Sequence, residues 1–412
     1  MKILALSTYP VARPRHGGQK RVHALKALYQ RLGADLHVAA VHDPSYAKED
    51  VGPHDIVLGH GSATWADTPF MGDLQSGEFA ANSPAAYRHF ESLVRTLQPD
   101  AFTLEQPFMW PLIRRLKENG VAADVPVIYS SHNWEAPLKE AILIRAGVSR
   151  PKAKAIAAAI VALEQDAVDG ADLVLTVSDS DLAIYRALAP GKLIAVAPNG
   201  VDLPSDAPGR SAILDPYEGR KFLFYVGSSY PPNIEGFVKL VCEDGFFFTP
   251  PLKSFAVCGG VCDQIFQSDA YQRFVHANSE RVQFFPNTTD EDLDVLKAAT
   301  HGVVLPIQFG GGSNLKTAEA LVSEKWVVAT PTAMRGFERF IGAAGVLIAE
   351  TPDQFRAAMI QALRNPPLQL SGQDRAARRA VTWERAFREG GAEEVLRTFL
   401  ASRTAGAAIG AL

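Results

Sequence analysis

Phe309–Thr330 reads FGGGSNLKTAEALVSEKWVVAT, and the way this stretch divides decides the fold. Upstream of it, HGVVLP at His301–Pro306 is a short apolar run stopped by proline, the pattern of a buried parallel strand. Gly310, Gly311 and Gly312 follow a turn and supply backbone that takes positive φ and approaches a ligand closely. Ser313 or Asn314 then offers a helix-capping side chain. Leu315, Ala318, Leu321 and Val322 mark one apolar helical face, and Lys325–Thr330 opens the next strand. Strand, glycine loop, helix and strand form a βαβ unit whose helix start presents free N–H groups and a positive dipole end to an anion. Lys316 lies just inside that helix, and Glu319 lies three residues further on nearly the same face. A cation near the loop and a carboxylate a turn deeper suit a ligand with phosphate at one end and hydroxyls at the other, as in a nucleotide diphosphate. The same residues also read as a tight turn followed by a surface Lys316–Glu319 ion pair, and by itself the stretch leaves both open.

Outward from this unit the chain alternates strand and helix. Lys2–Leu6, Asp35–Val41, Ala101–Leu104, Val125–Ser130 and Ala171–Val177 read as strands with helical patterns between them. Val22–Leu32 is amphipathic and ends at Gly33. A second series follows Pro198: strands at Lys221–Gly227, Phe255–Gly260, Val282–Asn287 and Gly345–Ile348, a short helix grown from the turn Pro331–Gly336, and a helix at Pro352–Ala362. An amphipathic helical run from Trp383 to Leu400 closes the pattern, with Ala405–Leu412 read as a frayed tail. Such alternation predicts an α/β chain of doubly wound parallel sheets. At 412 residues it predicts two domains, with Pro204–Pro216 as a linker.

Composition narrows the function classes. A net charge of -4 gives no basic excess for nucleic acid. Three cysteines cannot build a disulfide scaffold, which fits a reducing, cytoplasmic setting. Cys258 and Cys262 have a metal-pair spacing, but with only Cys242 left as a thiol partner, buried apolar cysteines fit better than zinc. The apolar N-terminus is only a strand long, and no run approaches the roughly 20 residues of a membrane span, so membrane contact is expected to be peripheral at most.

In open sheets of this kind, ligands gather at the carboxyl ends of the strands. Arg13–Gln19 stands there, with Gly17-Gly18 opening the first long helix and Arg15 or Lys20 near it. So does SSHNWE at Ser130–Glu135, where His132 is either a hydrogen-bond donor to a sugar hydroxyl or leaving phosphate, or a satisfied structural histidine. Glu135 reads as an acceptor base or, better, as a helix-start carboxylate. Glu105 either points toward an acceptor or belongs with a core of Phe108, Met109 and Trp110. Ser178-Asp179-Ser180-Asp181 mimics a metal-binding Asp-x-Asp motif, but at a helix start it reads as a cap. The long loop His42–Met71 is unassigned and offers acceptor surface.

GGGSNLKTAEAL at Gly310–Leu321 resembles the donor-site motif of retaining glycosyltransferases of the GT-B fold, the group 1 or family 4 set. PNGVD at Pro198–Asp202 is similar to the interdomain crossing of that family, and Gly17-Gly18 to its cleft-facing turn. The resemblance implies two Rossmann-like doubly wound domains facing a cleft. It implies an acceptor domain at 1–198, a donor domain at 199–372 and a C-terminal helix at 373–412 crossing back. Substrate or donor would be held by Gly17, Gly18, Gly227, Asn233, Gly310, Gly311, Gly312, Ser313, Asn314, Leu315, Lys316 and Glu319, with Lys316 neutralising the diphosphate and Glu319 holding the ribose. His132 and Lys316 would be catalytic. The co-substrate would be a nucleotide-diphosphate sugar with no metal or other cofactor, and the partner a glycan, lipid-linked or other hydroxyl acceptor. The setting would be cytoplasmic, with any peripheral contact at the inner face of a membrane, and the products cell-surface polysaccharide, lipopolysaccharide or another glycoconjugate. Two departures stand out. Many members carry a second glutamate where this chain has Gly311, and the phosphate-binding arginine and lysine expected near Gly227 have no match. A GT-B sugar-nucleotide epimerase and a non-catalytic sugar-nucleotide binder are the alternative readings.

Overall fold

Short runs of β-branched and aromatic residues bounded by glycine, proline and capping residues build two parallel sheets. The structure, a computed structural model, describes residues 1–59, 67–204 and 211–409. Parts of the His42–Met71 loop (60–66), of the linker (205–210) and of the tail (410–412) therefore lie outside the described residues.

The chain divides into two compact units, Met1–Pro198 with Ala386–Leu412, and Asn199–Arg385. In the first, β1 (Lys2–Ser7), β2 (Asp35–His42), β3 (Ile56–Val57), β4 (Ala101–Glu105), β5 (Val127–Ser130), β6 (Leu173–Thr176) and β7 (Ile194–Val196) pair in parallel. Their order is β3-β2-β1-β4-β5-β6-β7, so the winding reverses between β1 and β4. Leu6 pairs with Leu104 and Glu105 with Ser130, which brings the residues after β1, β4 and β5 out at one level of the sheet edge. Leu4, Phe90, Phe102, Trp110, Tyr129 and Val174 fill one core cluster of this unit.

In the second unit, β8 (Leu223–Val226), β9 (Phe255–Cys258), β10 (Val282–Phe285), β11 (Gly302–Leu305), β12 (Trp326–Ala329) and β13 (Val346–Ile348) are ordered β10-β9-β8-β11-β12-β13, again all parallel, with reversal between β8 and β11. Phe224, Ala256, Val303, Leu305 and Val327 enter one core, and their neighbours Leu223, Phe255, Val257, Val304 and Val328 enter another. Burial on both faces explains why these strands read as unbroken apolar runs. Each fully buried Val, Leu or Phe contributes about 2 kcal/mol by transfer from water. Gly236, in the helix Pro231–Phe237, packs so closely that a Cβ there would stand 1.8 Å from the Pro306 carbonyl oxygen. That contact seats the helix against the segment leading from β11 into the glycine loop.

Three expectations are corrected. Residues 373–385 belong to the second unit, and the chain returns to the first at Ala386. The helix Gly372–Arg379 is held there by Arg375 and Arg379, each 2.9 Å from Glu324, and by Arg378 donating to the carbonyls of Lys325 and Ala344. The run from Trp383 is two helices, Trp383–Glu389 and Ala392–Ile409, broken at Gly390-Gly391, where Gly391 has φ of 81° and bridges to Val196. The second of them continues to Ile409, so helix replaces fraying as far as that residue. Pro331–Gly336 forms turns, tied to the glycine loop by Thr330 and Arg335, and leads into the short 3-10 helix Glu338–Phe340 as expected. Among the described residues, no helix is long and apolar enough to cross a membrane.

Candidate functional site

The glycine loop leaves β11 and enters the helix Leu315–Val322. Asn314 rather than Ser313 is the cap, its Oδ1 accepting from the Lys316 amide at 3.2 Å. Ser313 instead lends its carbonyl oxygen to Asn199 Nδ2 at 3.3 Å. Ser313 Oγ and Asn314 Nδ2 are buried atoms without a hydrogen-bond partner among the described residues. Leu315 packs on the core beneath and anchors the first turn.

Lys316 and Glu319 are not the surface ion pair that the sequence left open. Lys316 Nζ donates to Asn233 Oδ1 at 2.6 Å and lies 5.6 Å from the Tyr225 ring centroid. Burial lowers its pKa to about 8, against a smaller raising effect of Glu319. Glu319 pairs with Lys297 at 3.3 Å. Asn233 sits in the first turn of its helix, and its Nδ2 donates to the Ser228 carbonyl at 3.1 Å, so it orients the lysine from a fixed base. Gly227 closes β8, its amide donating to Cys258 O at 3.0 Å, and a Cβ there would collide with Val261 and crowd Asn233. A cavity of about 520 Å³ opens below Lys316 and Glu319, walled by Phe224, Val226, Leu305 and Ala320 with Asp202 and Lys297 at its polar edge. That size falls in the range of small-molecule sites.

In the first unit the loops after β1, β4 and β5 converge. His132 Nε2 stands 3.0 Å from Glu105 Oε2, and its Nδ1 stands 3.2 Å from Tyr9 Oη. Glu105 is fully buried and takes a second bond from Thr103 Oγ1 at 3.0 Å. With the carboxylate accepting from Nε2–H, the Nδ1 lone pair takes the tyrosine O–H. Burial lowers the His132 pKa, opposed by the bond to Glu105, and burial raises that of Tyr9, so a neutral imidazole and a protonated phenol face each other at neutral pH. Gly18, second residue of the helix Gly17–Arg31, lies against this chain: a Cβ on it would be 2.5 Å from Tyr9 Oη. Gly17 opens that helix as expected, but Arg15 is held by Asp50 at 3.0 Å.

Gln106 follows with φ 71° and ψ 162°, backbone that a side chain rarely adopts and that costs about 1–3 kcal/mol. Its amide meets Thr8 Oγ1 at 3.3 Å and Glu135 Oε1 at 3.4 Å. Glu135 starts the helix Glu135–Arg145 and is buried, which raises its pKa to about 7. Glu164 accepts from the Glu135 and Ala136 amides at 3.0 and 3.3 Å, and burial raises its pKa to about 8. Ser178 caps the amide of Asp181 at 3.2 Å, so the Asp-x-Asp mimic is a helix start. The three cysteines are buried free thiols. Among the described residues, no three His, Cys, Asp or Glu side chains gather as a metal site would require.

Tyr9, Lys297 and Arg335 were not anticipated. Tyr9 had a signal, since it lies just past the end of β1, where this architecture puts ligands. Lys297 and Arg335 reach their partners from other helices and loops, and no local pattern announces them.

Comparisons with known proteins bear on the family and the fold. The Glycosyltransferase Family 4 profile matches residues 15–204, and the Glycosyl transferases group 1 profile matches residues 247–365. No curated protein matches the chain by sequence. Among solved structures, sucrose-phosphate synthase from Thermosynechococcus elongatus superposes with a TM-score of 0.70 at 17% identity, over 97% of this chain and 99% of that one. The UDP-forming α,α-trehalose-phosphate synthase from Burkholderia vietnamiensis gives 0.60 at 15%, over 100% and 98%. HepE from Anabaena, solved with UDP, gives 0.59 at 14%, over 98% and 100%. With one family profile on the half that carries His132, another on the half that carries Lys316 and Glu319, and two wholly parallel sheets, the chain belongs to the family 4, group 1 glycosyltransferases of the GT-B fold.

Proposed function

We propose that the enzyme moves a sugar from a nucleoside-diphosphate donor to an acceptor hydroxyl with retention at the anomeric carbon. The observation that carries this reading is a desolvated ammonium, Lys316 Nζ, set beside a capped helix start where Ser313 Oγ and Asn314 Nδ2 await partners. A diphosphate supplies partners for the two side-chain atoms and a counter-charge for the ammonium. The cavity beneath takes the nucleoside, with Glu319 at the ribose. UDP is the first choice of nucleotide, since HepE was solved with it and the trehalose-phosphate synthase is named as UDP-forming.

In the transfer, the anomeric carbon–phosphate oxygen bond breaks as the bond to the acceptor oxygen forms on the same face, and the acceptor's proton passes to the departing phosphate. Charge grows on the diphosphate, and fixed donors at Gly311, Gly312, Ser313 and Lys316 stabilise it electrostatically. His132, backed by Glu105 and Tyr9, serves sugar hydroxyls. A nucleotide-sugar donor and buried free thiols suit a cytoplasmic enzyme, peripheral at most to the inner face of a membrane, that builds polysaccharide, lipopolysaccharide or a related glycoconjugate.

A panel of nucleotide sugars, assayed for nucleotide release with and without glycan or sugar-phosphate acceptors, tests the reading. Acceptor-dependent release with an α-linked product from an α-linked donor supports it. Sugar conversion without release would make the protein an epimerase, and binding without turnover a sensor.

A further inference from the structure

We infer that Arg335 is a positioning residue of the donor loop, holding the carbonyls of Gly310, Gly311 and Gly312 on one side so that the amides of the next residues face the diphosphate. Its Nη1, Nη2 and Nε donate to those three oxygens at 2.5, 2.9 and 2.7 Å. In a trans peptide the C=O and the following N–H point in opposite directions. Fixing three successive carbonyls on the guanidinium therefore turns the N–H groups of Gly311, Gly312 and Ser313 away from it. Among the described residues, no protein acceptor takes up those amides. Gly312 has φ of 55°, the left-handed turn that gathers successive amides into an anion-binding concavity.

Arg335 is itself well anchored. The segment after β12 is tied to the loop by Thr330 Oγ1 donating to Ile307 O, and to the helix by Thr317 Oγ1 donating to Ala333 O at 2.5 Å. Gly336 packs on Ser313 with room for no Cβ. A planar fork is what three converging carbonyls require, and an ammonium cannot bind all three in that geometry. Arg335 acts through the backbone and touches no ligand.

This inference rests on the donor reading above, and its test separates the two. Affinities for UDP and for uridine are measured by calorimetry on the 412-residue wild type, Arg335→Met and Arg335→Lys, with ADP and GDP titrated into the wild type and thermal unfolding as a control. Arg335→Met is expected to weaken UDP about tenfold to hundredfold while uridine binding stays within twofold, with Arg335→Lys recovering part of the loss. Equal weakening of UDP and uridine, or UDP affinity like that of the wild type, overturns the positioning role. A wild type that binds none of UDP, ADP and GDP overturns the donor reading and this inference with it.

Discussion

Replacing Lys316 by methionine should make the protein more stable and a poorer binder of UDP at once. The wild-type ammonium has an Asn233 oxygen and the Tyr225 ring around it, and burial holds its pKa near 8, against 10.5 for an ordinary lysine. Below pH 8 both the folded and unfolded chains carry the proton, and the folded chain bears the full desolvation cost. Allowing for a half-buried side chain, that cost is of order 2 kcal/mol. Methionine keeps the alkyl length and removes the charge, but it orphans Asn233 Oδ1, which takes back about 1 kcal/mol. The net gain is about 1 kcal/mol, or about 2–4 °C in Tm for a unit of this size. As pH rises from 8 towards 10.5 the folded wild type sheds its proton and the unfolded chain does not, so the advantage of the variant fades across that window. UDP, whose phosphates need the cation, should bind about tenfold to hundredfold more weakly. Melting curves at pH 7 and pH 10.5 with calorimetric titration of UDP decide it. A variant that melts lower at pH 7, or that binds UDP as well as the wild type, refutes the argument.

Glu105→Gln removes the carboxylate that raises the His132 pKa, so the acid limb of the kcat/KM profile should move to lower pH and kcat should fall about tenfold; an unmoved limb would separate the histidine from turnover. Gly18→Ala drives a methyl into Tyr9 Oη and should lower kcat about as much as Tyr9→Phe, with the double variant no worse than either, because both break one bond; additive losses would refute that. Glu164 is held protonated to about pH 8 in the fold but ionises near 4.5 when unfolded, so its contribution to stability falls as pH rises between those values. Glu164→Gln keeps an acceptor for the Glu135 amide and should flatten the stability curve from pH 5 to 8, with the variant ahead at pH 8; parallel curves would count against it.

Strands buried on both faces were legible because every residue from Leu223 to Val226 or from Gly302 to Leu305 is apolar or small, and that demand leaves a plain trace in the sequence. The caps at Ser178 and Asn314 were legible for a similar reason, since the cap and the amide it serves lie within three residues. β3 was missed because two residues carry no period. The partners of the site were hidden by distance along the chain. Lys316 meets Asn233 across 83 residues, and His132 meets Glu105 across 27. Arg335 sits in a stretch, TPTAMRG, that was legible as a turn leading into a short helix, but its role was not, because the glycine loop it grips lies 23 to 25 residues back along the chain. The break at Gly390-Gly391 was masked by amphipathic residues on both sides of it.

The second unit begins and ends at one doorway. Val201 donates its amide to Val381 O at 3.0 Å and takes one from Trp383 at 3.4 Å, so the entering and leaving strands are stitched together. Residues 199–385 are, in effect, a cassette spliced into the first unit, with no dangling ends to reconcile. Such a cassette should be portable. Cloned alone or moved onto another scaffold, it would carry Lys316, Glu319 and the arginine-gripped loop as one inheritance.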